Sequence, residues 1–94
     1  MKKLFDTDKA EMLRTNLLDL LKARQKEDAN IEELNEQART HLEEFLEEEV
    51  KNETIHNYVI MGEPEFIENR FIVMTGVQFS ENEAFYQIPL EVTD

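Results

Sequence analysis

The sequence has 94 residues, a formal net charge of −12 and no cysteine. The lack of cysteine excludes disulfides, thiolate zinc sites, iron–sulfur clusters and thiol catalysis. The negative charge disfavours direct binding to nucleic acid and to anionic membranes, because both are negatively charged themselves. A chain of this length fits one small domain, so we expect residues 1–94 to form a single α+β domain.

The first predicted helix spans about residues 8–25. Its acidic residues lie in the first turn and its cations in the last turn, as the helix dipole favours. Thr7 or Asp8 is the predicted N-cap, and Leu4 and Phe5 are expected to pack against the helix as a hydrophobic staple. The apolar stripe consists of Ala10, Leu13, Leu17, Leu20 and Leu21. We therefore expect this helix to bury one side.

The second predicted helix spans about residues 30–51. Asn30 is a suitable N-cap, and Glu33 follows it at the spacing of a capping box. The connection over residues 26–29 is short, which favours an antiparallel helical hairpin. The inner stripe of this helix consists of Ile31, Leu34, Ala38, Leu42 and Phe45, with Leu46 at its edge.

The opposite side of the second helix carries glutamates, and we call it the acidic ridge. Its members are Glu32, Glu33, Glu36, Glu43, Glu44 and Glu47. A solvated helix face that maintains solubility is the simplest interpretation. However, like charges at i, i+3 and i+4 cost about 0.2–0.5 kcal/mol per pair, and Arg39 is the one cation within the ridge. The pattern therefore predicts a surface that binds a basic partner, with plain solubility as the alternative.

Three strands are predicted, at about residues 54–61, 70–79 and 84–92. The residues Gly62 to Glu65 carry turn chemistry, and residues 80–83 form a polar hairpin loop. Short connections favour a meander in sequence order. Pro89 cannot donate to a ladder, so the third strand is expected at an edge. The prediction is an ααβββ arrangement in which the helical hairpin packs on one face of a three-stranded antiparallel meander.

The helices can cover only one face of such a sheet. Phe71, Phe79, Phe85 and their neighbours therefore raise the question of what covers the other face. Monomers seldom leave a large contiguous apolar patch bare. Self-association, for example as a homodimer, and a partner protein are the two answers that the sequence offers.

Catalytic and metal-binding patterns are sparse. Glu53 and His56 form one Glu-x-x-His pair, and with Glu49 they would share a face if the second helix continued past Lys51. Di-iron bundles use two such pairs on four helices, so we interpret Glu53 and His56 as an ordinary exposed pair. Ser80 is the sole serine and lacks a nucleophile-elbow context. We predict no metal, no cofactor and no enzymatic activity.

His41 lies at the edge of the inner stripe of the second helix. At that position it is predicted to be a partly buried packing residue. The alternative is a pH-sensitive interface residue beside Glu44 and Glu48, which would require those carboxylates to be close in space.

The sequence as a whole predicts a small acidic non-enzymatic interaction module. It would engage a basic protein through the acidic ridge, and it could inhibit a nucleic-acid-binding protein by charge mimicry. The alternative is a structural or assembly protein that is homo-oligomeric through its apolar sheet face or its helices. No apolar run approaches the length of a membrane span and no signal peptide is evident, so a cytoplasmic location is expected.

Overall fold

A computed structural model describes residues 4–93 and confirms the predicted ααβββ arrangement. Two helices precede an antiparallel sheet with strand order β1-β2-β3, and both helices contact the same sheet. The elements are a 3₁₀ turn at Leu4–Asp6, α1 at Ala10–Arg24, α2 at Ile31–Lys51, β1 at Asn57–Ile67, β2 at Arg70–Gln78 and β3 at Tyr86–Thr93.

The start of α1 differs from the prediction, because neither Thr7 nor Asp8 caps the helix with its side chain. Lys9 occupies the N-cap position and makes no side-chain cap hydrogen bond. Instead, the backbone carbonyls of Thr7 and Asp8 accept hydrogen bonds from the amides of Ala10 and Glu11, at 3.0 and 3.2 Å. The backbone of the segment between the 3₁₀ turn and the helix therefore supplies the acceptors that a capping side chain would otherwise provide.

The 3₁₀ turn also brings two apolar residues into the core. Leu4 and Phe5 are both buried, and the Phe5 ring lies 5.7 Å from the ring of Phe45 on α2. The predicted staple residues thus pack beneath the helical hairpin. The first three residues of the lead lie outside the described part of the chain.

Asn30 caps α2 as predicted, since its side chain accepts a hydrogen bond from the Glu33 amide at 3.2 Å. The second half of the capping box does not form, because Glu33 Oε1 accepts from Gln37 Nε2 at 3.3 Å instead. Within the inner stripe, Leu34, Ala38, Leu42 and Leu46 are buried, Phe45 is half-buried, and Ile31 stays exposed at the start of the helix. The buried inner residues of α2 are Leu34, Ala38, Leu42, Leu46 and Glu49.

The sheet order confirms β2 as the central strand and places Pro89 in the edge strand β3. The turn predicted at residues 62–65 is wrong, since these residues lie within β1. Gly62 adopts φ +84°, and the pairing with β2 is shifted between Met61 and Glu65. Glycine and proline here accommodate a bulge and not a reversal of the chain. The reversal occurs at residues 68–69, where Glu68 has φ 55°.

The core lies between the helices and one face of the sheet. α1 contacts β2 and β3, and α2 contacts β1. The buried strand residues on this face are Phe71, Val73, Thr75, Val77, Leu90 and Val92. Thr75 is completely buried, and its hydroxyl donates to the Ile88 carbonyl at 2.7 Å, which allows a polar side chain in the core.

Candidate interaction surfaces

The acidic ridge lies along the side of α2 that faces away from the core. Five of its glutamates are exposed, whereas Glu43 is half-buried. The inner stripe of α2 fixes the rotation of the helix, because it must face the sheet and α1. Sequence reasoning therefore places these side chains correctly, and the structure brings all six onto one helix face.

The ridge charges are not neutralised within the part of the chain that the structure describes. None of the six glutamates forms an ion pair with residues 4–93. Arg39 is half-buried, and its Nη1 atom is inaccessible without a hydrogen-bond partner. Arg39 is the cation that was expected to offset the ridge charges, but it forms no ion pair with the ridge glutamates. The ridge thus presents nearly uncompensated negative charge.

One side of the ridge meets the sheet at Tyr58. The Tyr58 hydroxyl donates to Glu47 Oε1 at 3.2 Å. Burial raises the pKa of Tyr58, and the hydrogen bond to Glu47 and the negative charges of Glu47 and Glu43 raise it further. Tyr58 therefore stays neutral, and it fixes the position of one ridge carboxylate.

The residues weighed as a metal set do not form one. Glu49 is only 4% exposed on the inner side of α2, Glu53 lies beyond the end of the helix at φ 60°, and His56 is exposed. Between residues 4 and 93, no group of three or more histidine, aspartate and glutamate side chains is arranged to hold a metal ion. The inward position of Glu49 follows from its angle on the helix, which coincides with the inner stripe.

His41 is half-buried on α2, as its position at the edge of the stripe predicts.

The face of the sheet away from the helices, which we call the outer sheet face, is apolar and open. Its large apolar side chains are Val59, Met61, Ile67, Ile72, Met74 and Phe85. All of them except Ile72 are 36–47% exposed. The sequence suggested Phe71 and Phe79 for the uncovered face, but both lie on the core side of the sheet. Side chains alternate between the two faces along a strand, and those at the odd positions of this segment point towards the helices.

Gly76 lies at the centre of the outer sheet face. A Cβ atom at this position would lie 2.8 Å from Val59 Cγ1, 3.5 Å from Met61 Sδ and 3.7 Å from Phe85 Cδ1. The missing side chain therefore lets these three neighbours close over β2 and form a continuous apolar surface. A shallow groove of about 300 Å³ lies beside it, between Met61 and Met74.

The sequence of β1 indicates that the outer sheet face is apolar, but only the pairing of β1 with β2 shows which residues lie on that face. In β1 the apolar residues occupy both alternations, with Tyr58 and Ile60 towards the helices and Val59 and Met61 away from them. A strand with apolar residues on both sides indicates two covered faces. Which residues belong to which face depends on the register with β2.

No described helix has the length and the apolar composition that crossing a membrane requires. Comparison with known proteins gives no match to a family model, to a curated protein or to a solved structure.

Proposed function

We propose that this protein is a small non-enzymatic interaction module that binds a basic protein through the acidic ridge of α2. The observation that supports this proposal is that the negative charges of the ridge are not neutralised. Six glutamates share one helix face and form no ion pair with the described residues. Uncompensated charge on a folded helix attracts a cationic surface at long range and accelerates the encounter.

The average density of the ridge charges, which lie in two groups of three on either side of Arg39, supports mimicry of a nucleic-acid backbone. Glu32 and Glu47 are separated by roughly 22 Å along the helix at a rise of 1.5 Å per residue. Six carboxylates over this length give roughly one charge per 4 Å, which is close to the 3.4 Å per charge of one DNA strand. A groove that binds a phosphate backbone would meet a similar density of charge. We therefore propose inhibition of a basic nucleic-acid-binding protein as the activity of the ridge, in a cytoplasmic setting.

A competition experiment tests the ridge. Purified basic DNA-binding proteins are bound to labelled duplex DNA, and release of the DNA by this protein is followed by fluorescence anisotropy. The ridge variant replaces Glu36, Glu43, Glu44 and Glu47 by Gln. We expect the wild type to release DNA from at least one of these proteins and the ridge variant to require at least ten times more protein.

The matched control changes the net charge equally but elsewhere. It replaces four other exposed glutamates by Gln, namely Glu27, Glu53, Glu68 and Glu81. We expect this variant to compete like the wild type. If both variants lose competition equally, net charge alone accounts for the effect and the ridge is not a specific site. Failure of the wild type to release any of the DNA-binding proteins would contradict the mimicry.

A further inference from the structure

We propose that the outer sheet face binds a second copy of this chain, so that two molecules pack sheet against sheet as a six-stranded sandwich. This inference does not rest on the acidic ridge, because it concerns the opposite side of the molecule. It follows from the size of the exposed apolar patch, from the placement of charge around it and from the order of side chains along the strands.

The apolar patch supplies a large part of the area that a dimer needs when both copies contribute. Five large apolar side chains are 36–47% exposed on this face. With about 200 Å² for a large side chain, they leave on the order of 400 Å² of apolar surface exposed, which is already in the range of functional patches. Two copies bury about twice that area, and the polar rows at both ends bring the total towards the roughly 1,200 Å² at which standard interfaces begin.

The side chains in the middle of the patch suit an interface between flat sheets. Met61, Met74 and Pro89 form one row across the three strands, and none of them carries a charge. Met61, Met74 and Pro89 line a groove of about 300 Å³ together with Glu63 and Glu65. Methionine side chains are flexible and adapt to irregular surfaces, so those of one copy can enter the groove of the other.

The six charges of each acidic ridge do not oppose this contact, because the ridges lie on the far sides of the two molecules. Packed sheets are about 10 Å apart, and each sheet is covered by a helical layer roughly as thick. The two ridges are therefore separated by roughly 30 Å or more, which is well beyond the Debye length of about 8 Å at physiological salt.

The two ends of the outer sheet face differ, and this difference determines the orientation. One end carries carboxamides, with Asn57 opposite Gln78 on neighbouring strands and Gln87 in the next row. The other end carries charges, with Glu65 and Glu91 flanking Ile72 and with Arg70 one row further. The face is therefore uncharged at one end and charged at the other.

Face-to-face packing about a two-fold axis allows two aligned orientations. An axis across the strands places the carboxamide end of each copy on the charged end of the other, so that Gln87 can donate to Glu91 of the second copy. An axis along the strands places Glu65 opposite Glu91 of the second copy, at two symmetric positions. Arg70 Nη1 pairs with Glu91 Oε1 at 3.4 Å, so Glu65, Glu91 and Arg70 together leave one net negative charge at this end of each copy. Two such ends in contact are unfavourable, so we assign the axis across the strands.

Sedimentation equilibrium at increasing protein concentration tests the dimer. We expect a mass of about twice 11.2 kDa at high micromolar concentration in moderate salt. Met74→Glu buries two carboxylates at the centre of the sandwich, and we expect it to weaken dimerisation at least 100-fold. The matched control is Met12→Glu on α1, where the side chain is 74% exposed, and it should dimerise like the wild type.

A second variant separates loss of the dimer from loss of folding. Phe85→Ser alters an exposed residue that lies before β3, so strand pairing does not depend on it. We expect this variant to retain the circular dichroism spectrum and to weaken the dimer. A monomeric wild type at high micromolar concentration, or a dimer unaffected by Phe85→Ser and by Met74→Glu, would overturn the proposal. The fourfold Gln variant of the ridge should still dimerise, so the two proposals can fail separately.

The orientation is tested with single cysteines, which the cysteine-free chain makes unambiguous. Gln87→Cys mixed with Glu91→Cys should form an intermolecular disulfide under mild oxidation. Efficient cross-linking of Glu65→Cys with Glu91→Cys in place of that pair would show the axis along the strands and overturn the assigned orientation.

Discussion

Glu47 and Glu49 are two residues apart on α2, yet they have opposite environments. Glu47 is exposed and accepts a hydrogen bond from Tyr58, whereas Glu49 is buried at 4% exposure. The difference is one of angle, because two residues on a helix are 200° apart. The identity of a residue therefore says little about its role on this helix until its angular position is known.

The contact between Tyr58 and Glu47 predicts a dependence of stability on high pH. The pKa of Tyr58 is raised in the folded state, so the unfolded chain releases this proton first as the pH rises above about 10. The contribution of Tyr58 is complete below that pH and is lost as the pH rises through the folded pKa. We expect the free energy of unfolding to fall over this range in chemical denaturation and Tyr58→Phe to reduce the fall.

The cause of the raised pKa is tested by titrating the phenolate absorbance. The chain has two tyrosines, so the Tyr86→Phe background isolates Tyr58. Glu47→Gln should lower the pKa of Tyr58 towards its ordinary value, since it removes one negative charge and weakens the hydrogen bond. Glu36→Gln is the control, because Glu36 is not among the groups that raise this pKa. An unchanged pKa in Glu47→Gln would contradict the assigned cause.

Adding a single Cβ atom at Gly76 is predicted to cause a steric clash with Val59. In Gly76→Ala the new Cβ would lie 2.8 Å from Val59 Cγ1, and the stiff valine cannot move away freely. We expect a loss of about 1–3 kcal/mol in the free energy of unfolding, as for overpacked sites. Denaturant unfolding at one low protein concentration measures it.

The double variant provides the control for Gly76. Val59→Ala removes the clashing atom, so its combination with Gly76→Ala should cost less than the sum of the two single changes. Gly62→Ala is a matched comparison, because nothing lies within 4 Å of its Cβ but its φ of +84° disfavours alanine. Val59→Ala should not rescue that variant. If the losses of stability in Gly76→Ala and Val59→Ala simply add in the double variant, the predicted clash is absent.

At the scale of the element, the two sides of α2 have opposite effects on the stability of the helix. Its inner side is buried against α1 and the sheet, whereas the ridge places like charges at i, i+3 and i+4. Burial of the inner stripe keeps the helix formed despite the repulsion, because packing contributes more to helical stability than pairs of surface charges do.

The repulsion predicts that neutralising the ridge stabilises the fold. Gln at Glu36, Glu43, Glu44 and Glu47 removes five unfavourable pairs of glutamates at i, i+3 and i+4, and it also removes three favourable spacings to Arg39 and Lys51. We therefore expect a net gain of roughly 0.4–1 kcal/mol in stability at low salt. The measurement is thermal unfolding at low and at high salt. At high salt the gain should largely disappear, since exposed charges are then screened.

The control for ridge neutralisation is the variant with Gln at Glu27, Glu53, Glu68 and Glu81. It has the same net charge, but these glutamates lie outside the ridge. We expect a smaller gain from it at low salt. An equal gain in both variants would attribute the effect to the total charge of −12 and not to crowding on α2.

At the scale of the whole molecule, the two candidate surfaces lie on opposite sides. The helical layer covers one face of the sheet and presents the ridge, and the outer sheet face remains open. A three-stranded sheet with one helical layer cannot cover both of its faces, so burial on one side leaves apolar residues on the other. A dimer through the sheet leaves both ridges available for a basic partner.

The sequence by itself determined the order and type of the elements, the cap at Asn30, the inner side of α2 and the edge position of Pro89. These features depend on neighbours within a few residues, on helical or alternating period and on the chemistry of single residues. The exposure of most ridge glutamates follows from the same period, and so does the inward position of Glu49.

Only the tertiary structure decided which apolar strand residues face the helices, and it corrected the reversal of the chain from residues 62–65 to residues 68–69. It also replaced the predicted side-chain cap of α1 by backbone carbonyls of Thr7 and Asp8, and it showed the 3₁₀ turn that buries Leu4 and Phe5. These features depend on strand register and on contacts between distant segments, and a shift of one residue exchanges the two faces of a strand. Local patterns do not contain that information, because both faces of β1 and β2 are apolar.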